Sequence, residues 1–289
     1  MTRYIELAIT TNYTFLHGGS HPKELVKQAH ALGHTAIGIT DRNSVAGVVR
    51  AYTQAKELNF PLHVGSRLVF ADGTPDILAY PQDRAAYGRL TRLLTVGNRR
   101  AEKGDCILRL DDLIEHAEGL QLIFIPPRPN IEAASQALDR LKALERTTRR
   151  RGDAEQTSPF SASSAAPREI DLPTQIWLAA TLSYNGDDPR HIKRLIALSH
   201  RHNIPLIATN DVLYHAPERR PLQDVLTCIR EHTTLDAAGF KLEANAERHL
   251  KAPAEITRLY RQIPTAIDET IRFAERLTFK LDDLRYEYP

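Results

Sequence analysis

Charged residues stand at three places where an apolar run of the sequence ends. These places are Thr40-Asp41-Arg42, Gly65-Ser66-Arg67 and Thr209-Asn210-Asp211, and the loop after the first apolar run adds His17. Carboxylates and neutral imidazoles are the groups with which proteins bind the divalent cations that catalyse ester hydrolysis. Arginine offers no lone pair and repels a nearby dication. The residue types therefore leave two interpretations open, a metal site and a cluster of ion pairs.

The ion-paired interpretation is favoured, because two carboxylates and two guanidiniums can neutralise one another without any metal ion. We predict that Arg42 or Arg67 forms an ion pair with Asp41 or Asp211 and fills the space that a metal would occupy. The competing metal site would draw its ligands from His17, Asp41 and Asp211.

The elements that must position these residues alternate between strand and helix. Apolar and β-branched runs predict strands at 4–9, 36–39, 62–70, 77–80, 120–125, 176–182 and 205–209. Helical spacing of apolar residues, with capping and stop signals, predicts helices at 23–32, 45–58, 85–96, 111–116, 131–146, 190–202, 222–230, 247–250, 254–262 and 266–277. Trp177 lies in one of the strands and is expected in the core.

This alternation is typical of a parallel sheet with helical crossovers, and the number of units favours a closed, irregular βα barrel. All strand carboxyl ends meet at one mouth in such a barrel, so the three charged places should converge. The competing fold is an open doubly wound sheet. It usually carries a glycine-rich phosphate loop after its first strand, and neither GxGxxG nor GxxxxGK[ST] occurs here.

Composition places the chain among ordinary globular proteins, with 42% hydrophobic and 26% charged residues. A net charge of +2 gives no strong electrostatic signal for nucleic acid. Two cysteines without a CxxC pair, and no apolar run of membrane-spanning length, predict a cytoplasmic protein. Residues 147–173 are rich in Ser, Ala, Pro and charge, and we expect a disordered or loosely ordered insertion there.

Several stretches resemble the N-terminal PHP (polymerase and histidinol phosphatase) domain of bacterial C-family DNA polymerases, in particular the error-prone branch. They are YIELAITTNYTFLHGGSHPKELVKQAHALGHTAIGITDRNSVAGVV, PLIATNDVLYHAPERRPLQDVLTCIREHTTLDAAG, ANAERHLKAPAEI and the terminal LDDLRYEYP. The resemblance implies an α/β fold, a distorted (β/α)7 PHP barrel, over residues 1–275. Residues 276–289 would begin the connection to a polymerase palm.

The resemblance also implies where metal ligands would stand, and most of those positions carry other residue types. Residue by residue, the family's ligand positions fall on Ala8, Thr10, His17, Arg42, Arg67, Asp211 and Leu213. Only His17 and Asp211 of these can bind metal, so the resemblance implies a degenerate site with no catalytic residue. No cofactor is expected, and zinc, manganese or magnesium would bind only if the remnant of His17, Asp41 and Asp211 were functional.

The leading functional hypothesis is a non-catalytic scaffold within an error-prone polymerase that acts in DNA repair and damage-tolerant replication. No PDxDxD motif, which holds the polymerase metals in this family, occurs in the chain. The partners implied are the palm and other polymerase domains, damage-response accessory proteins or clamp-associated subunits, and DNA through the parent protein. Arg219 and Arg220, beside the amphipathic helix 222–230, are candidates for contact with a polymerase domain. The alternative is a stand-alone metal-dependent phosphoesterase whose ligands are drawn from His17, Asp41 and Asp211, with His215 as an optional fourth.

Overall fold

The computed structural model describes residues 3–128, 131–143, 175–182 and 184–284. Seven strands form one sheet in which the spatial order is the order of the chain. The strands are β1 (Ile5–Ile9), β2 (Ala36–Arg42), β3 (Leu62–Leu68), β4 (Ile77–Pro81), β5 (Leu120–Phe124), β6 (Ile176–Thr181) and β7 (Leu206–Thr209). The insertion predicted at 147–173 lies outside the described residues.

The sheet curls into a nearly closed barrel, as the sequence predicted. The chain just beyond β7 returns to β1, where Thr10 N donates to the Val212 carbonyl (2.9 Å) and Val212 N donates to the Ala8 carbonyl (2.7 Å). Ile9 and Val212 form a parallel bridge at this seam. The mixed α/β barrel with seven strands is therefore confirmed.

One strand runs against the expected direction. β4 is antiparallel to both β3 and β5, whereas the remaining neighbours pair in parallel. The expectation of a parallel sheet is thus wrong at β4. Residues 69–76 are too few for a helical crossover, which takes about a dozen residues or more, so the chain turns back directly. Because of this reversal, the amino end of β4 lies at the mouth of the barrel.

Helices cover the outside of the sheet and close the end of the barrel opposite the mouth. They are α1 (Pro22–Ala31), α2 (Val48–Glu57), α3 (Arg84–Arg100), α4 (Leu110–His116), α5 (135–143), α6 (Asp188–His202), α7 (Arg220–Arg230), α8 (Leu235–Ala238), α9 (Pro253–Leu259) and α10 (Thr265–Glu275). The helix predicted at 131–146 begins instead with a 3-10 turn, Ile131–Ala134. Helix α10 packs against β1 and β7 at the end of the barrel opposite the mouth.

The helix predicted at 247–250 is wrong. His249 forms a parallel bridge with Tyr214, and Leu213 N donates to the Arg248 carbonyl (2.9 Å). The segment is extended because its backbone bonds to the chain that follows β7. This pairing carries the Arg248 side chain to the mouth.

The interior of the barrel is apolar and contains the expected tryptophan. Trp177 is buried, its ring meets Phe273 at a centroid distance of 4.8 Å, and its indole N–H donates to Glu269 (2.8 Å). Tyr80 lies beside it in the same cluster and donates its hydroxyl to the Leu7 carbonyl (2.5 Å). The core thus fills the barrel below the mouth and leaves the polar strand ends above it.

Candidate functional site

The mouth of the barrel gathers the polar strand ends. Asp41 and Arg42 are the last two residues of β2, and Ser66 and Arg67 lie opposite them in the register with β3. Asp211 follows β7 and has a left-handed backbone conformation (φ 48°). Successive side chains of a strand point to opposite faces, so the side chains of Asp41 and Arg42 point in different directions.

Asp41 holds the loop after β1, and it pairs with no arginine of the described residues. Its buried carboxylate accepts hydrogen bonds from Thr11 N (2.8 Å), the Thr11 hydroxyl (3.0 Å) and the Thr14 hydroxyl (2.8 Å). Burial raises the pKa of this carboxyl, and the hydrogen bonds oppose that shift. A side chain at Gly47 would lie 2.3 Å from the same carboxylate. The oxygens of Asp41 are therefore committed to shaping the loop.

Asp211 is the centre of the charges at the mouth. One carboxylate oxygen binds Arg67, and the other accepts from Arg248 Nη2 (2.6 Å). Burial acts to raise the pKa of Asp211, but Arg248, Arg67 and Arg42 together outweigh it and hold the pKa below its ordinary value. The ion pair between Arg67 and Asp211 that the sequence predicted is thus confirmed, and it fixes Asp211 in the charged form.

Arg42 pairs with a carboxylate that sequence reasoning missed. Its Nη1 donates to Asp76 (3.2 Å), and Arg67 Nη1 lies 3.6 Å from the same oxygen. Asp76 immediately precedes β4, and only the antiparallel direction of that strand brings it to the mouth. The segment between residues 68 and 77 is too short for a helical crossover, and this shortness was the sequence signal that could have placed Asp76 at the mouth.

His17 lies among guanidiniums. Burial together with Arg42, Arg230 and Arg67 lowers its pKa to about 4, so the imidazole is neutral at pH 7. Its Nδ1 is 3.2 Å from Arg230 Nη1. Neither Arg230 nor Arg248 was a candidate from the sequence, because both come from segments far along the chain that pack over the mouth.

The other candidates bind partners away from this centre. Arg219 pairs with Glu24, and Arg220 donates to Asp224 (2.6 Å) and to the Glu243 carbonyl. His215 has Ser20 as its ring partner (2.8 Å). Their roles in binding stay predictions.

Comparison with known proteins agrees with this architecture. Residues 6–148 match the PHP domain family. The chain contains a PHP domain. In addition, nearly the whole chain matches the N-terminal region of error-prone DNA polymerases.

The curated relatives of this PHP domain are much longer proteins. The error-prone DNA polymerases of Rhodopseudomonas palustris and Bradyrhizobium diazoefficiens are 50% and 52% identical over 99% of this chain, which covers 24% and 23% of their lengths. The error-prone DNA polymerase of Caulobacter vibrioides is 47% identical, again over 99% of this chain and 24% of its own. The chain thus spans about a quarter of the length of these relatives.

Solved structures show a more distant likeness. An amidohydrolase from Chromobacterium violaceum aligns with a TM-score of 0.46 at 13% identity, over 73% of this chain and 87% of that one. A protein from Bifidobacterium adolescentis aligns with a TM-score of 0.49 at 14% identity, over 72% and 87% of the two chains.

The donor set of this PHP domain does not fit a divalent metal. In the described part of the chain, no group of three or more His, Cys, Asp or Glu side chains lies close enough together to hold an ion. Both carboxylate oxygens of Asp211 bind guanidiniums, and those of Asp41 bind threonines. The ligands from which the phosphoesterase alternative would draw therefore do not form a metal site among the described residues. Over the same described residues, no helix has the length and apolar character needed to cross a membrane.

Proposed function

We propose that this chain is the PHP part of an error-prone DNA polymerase and acts there as a scaffold without catalysis of its own. Identities of 46% to 52% over almost the whole chain support the assignment to that polymerase. Under this proposal the parent protein extends DNA in the cytoplasm during repair and damage-tolerant replication. Accessory damage-response proteins, clamp-associated subunits and DNA would bind the parent protein.

The observation that carries the non-catalytic part is the ion pair between Arg67 and Asp211. Metal-dependent hydrolysis needs an ion that activates water or polarises the ester, with an open coordination position. Here Arg67 binds one oxygen of the Asp211 carboxylate, which would otherwise bind the ion, and Arg248 binds the other oxygen. The mouth therefore stabilises the barrel by charge pairing, and within the described residues neither oxygen of Asp211 is left to bind an ion.

The outer face of α7 supports the scaffolding part. Leu222, Val225 and Ile229 are spaced along one side of the helix and are 41%, 41% and 54% exposed. The polar side chains of Gln223 and Thr227, in contrast, are buried against the mouth. An amphipathic helix that faces the protein with its polar side normally has another partner for its apolar side.

We assign that partner to the rest of the polymerase. About three-quarters of each curated relative lies outside the region matched by this chain, so a large part of the same protein is available to cover α7. Arg219 and Arg220 stand at the start of α7 but already have acidic partners. The apolar side chains, and not these arginines, then provide the contact.

The test is made in a full-length polymerase that carries this domain. Leu222→Ser with Ile229→Ser should lower the thermal stability of the polymerase and its primer extension, since apolar contact area between domains is lost. Val49→Ser on α2 is the matched control, because Val49 is also apolar and 63% exposed. Equal effects of the α7 and α2 substitutions would refute the assignment of this face.

A further inference from the structure

A small polar cavity opens in the mouth beside the pair of Arg67 and Asp211. Its volume is about 160 Å³. Five cationic side chains contribute to its wall, and they come from β2, β3, α7 and the loops after α8. These are Arg42, Arg67, Arg230, Lys241 and Arg248.

The carboxylates around the cavity do not balance this charge. Among the described carboxylates, Asp211 and Glu243 alone line it, and Arg248 binds both, with 2.6 Å to each. One step further out, Asp76 pairs with Arg42, and Glu231 pairs with Arg230 (3.1 Å). Five cationic side chains thus face four carboxylates when the more distant Asp76 and Glu231 are included. Two of these four carboxylates line the cavity. The cavity is electropositive.

Several donors at the cavity have no partner within the described part of the chain. Arg42 uses only Nη1 of its guanidinium, toward Asp76. Arg230 uses Nε and Nη1, which leaves Nη2. Arg67 is 7% exposed, and its Nε is buried without a hydrogen-bond partner in the same described residues, so its guanidinium is not fully satisfied by the protein. Arginine has five N–H donors in a planar fork, and unused ones in a concave site favour an anion with several oxygens.

His17 also lines the cavity, and its Nδ1 lies 3.2 Å from Arg230 Nη1. A neutral imidazole can still donate one hydrogen bond to an anion. The hydroxyls of Thr10 and Thr227, which also line the cavity, are further donors.

We propose that this cavity binds a phosphate-type oxyanion, with Arg42, Arg230 and Lys241 as its principal ligands and without a metal ion. Guanidiniums match the geometry of phosphate oxygens and stay charged at every physiological pH. The anion could be free phosphate or pyrophosphate, or a phosphate group of a DNA strand, since all present the same tetrahedral oxygens. Binding at this cavity goes beyond the scaffolding role, because it needs only the barrel mouth and the segments of this chain that cover it.

The experiment is calorimetric titration of the purified chain in EDTA with inorganic phosphate, with pyrophosphate and with a short single-stranded oligonucleotide. We expect saturable phosphate binding, and Arg42→Gln and Lys241→Gln should each weaken it about tenfold, because a hydrogen bond to a charged group is lost. Arg50→Gln, which changes an exposed arginine on α2, is the matched control and should bind like the unaltered chain. Competition between phosphate and the oligonucleotide would identify the DNA backbone as a source.

The proposal is overturned if phosphate does not bind saturably up to roughly ten millimolar, an affinity too weak to be specific. It is also overturned if Arg42→Gln and Lys241→Gln bind as tightly as Arg50→Gln. Unfolding of each variant in the absence of phosphate separates loss of binding from loss of structure. Leu222 and Ile229 lie on the exposed face of α7 and do not line the cavity, so phosphate binding by the Leu222→Ser, Ile229→Ser variant separates failure of the scaffolding proposal from failure of this one.

Discussion

Substitution of Asp211 by Asn should destabilise the barrel more than substitution of either arginine beside it. The carboxylate of Asp211 accepts charge-assisted hydrogen bonds from Arg67 and Arg248, and each such bond contributes ~1.5–3 kcal/mol. Each arginine keeps a second carboxylate, Asp76 for Arg67 and Glu243 for Arg248. We therefore expect Asp211→Asn to cost about 3 kcal/mol, the lower end of the range for breaking a buried pair.

The reverse substitution should be milder. Arg67→Met removes one bond to Asp211, but Arg248 still neutralises that carboxylate at 2.6 Å. The expected cost is about 1–2 kcal/mol. Combining the two substitutions should cost less than their sum, since they remove the same contact, with a coupling of about 0.5–3 kcal/mol.

The assay is urea unfolding followed by the fluorescence of Trp177, the single tryptophan of the chain, which is buried in the barrel. Asp105→Asn, at an exposed loop position, is the control and should stay within about 0.5 kcal/mol of the unaltered chain. The folded pKa of Asp211 is depressed, so its contribution is present above the ordinary value of 3.8 and is lost as pH falls through the folded pKa. If Asp211→Asn costs no more than Asp105→Asn near pH 7, the ion pairs of Asp211 do not stabilise the barrel.

Two further predictions concern the barrel wall and acid stability. Gly38→Ala would place a methyl group 2.0 Å from the Tyr80 hydroxyl and should destabilise the barrel by about 3 kcal/mol. Gly88→Ala would place a methyl group with nothing within 4 Å and should stabilise α3 by about 0.5–1 kcal/mol. Similar melting temperatures for the two variants would contradict this prediction. Burial lowers the pKa of His34 to about 4. As the pH falls from about 6.5 to 4, this histidine binds a proton in the unfolded chain but stays neutral in the folded chain, so the free energy of unfolding should decrease over that range. His34→Gln keeps a donor for the Lys251 carbonyl and should flatten that fall in urea titrations; an unchanged slope would exclude His34 as its source.

The sequence was sufficient for the parts of the fold that depend on local pattern. β-branched runs predicted the strands, and the polar residues that end β2, β3 and β7 predicted where Arg67 and Asp211 would meet. Alternation along a strand also explains why Asp41 failed as a partner of the arginines. Its side chain points toward Thr11 and Thr14, and the next residue points the other way.

The parts that could not be predicted depend on how distant segments pack. The direction of β4 is set by a short turn, and with it the arrival of Asp76 at the mouth. Arg230 and Arg248 reach the same place from α7 and from the extended segment that pairs with the chain after β7. Charge patterns along the chain do not specify which far segment covers a barrel mouth.

Ion pairs occupy the place where a metal-dependent enzyme would hold its ions. Elemental analysis of the purified chain, combined with a phosphodiester hydrolysis assay, tests this most directly. We expect far less than one zinc or manganese ion per chain and no hydrolysis above background when either metal is added. Stoichiometric metal, together with hydrolysis that is lost on Asp211→Ala, would contradict it.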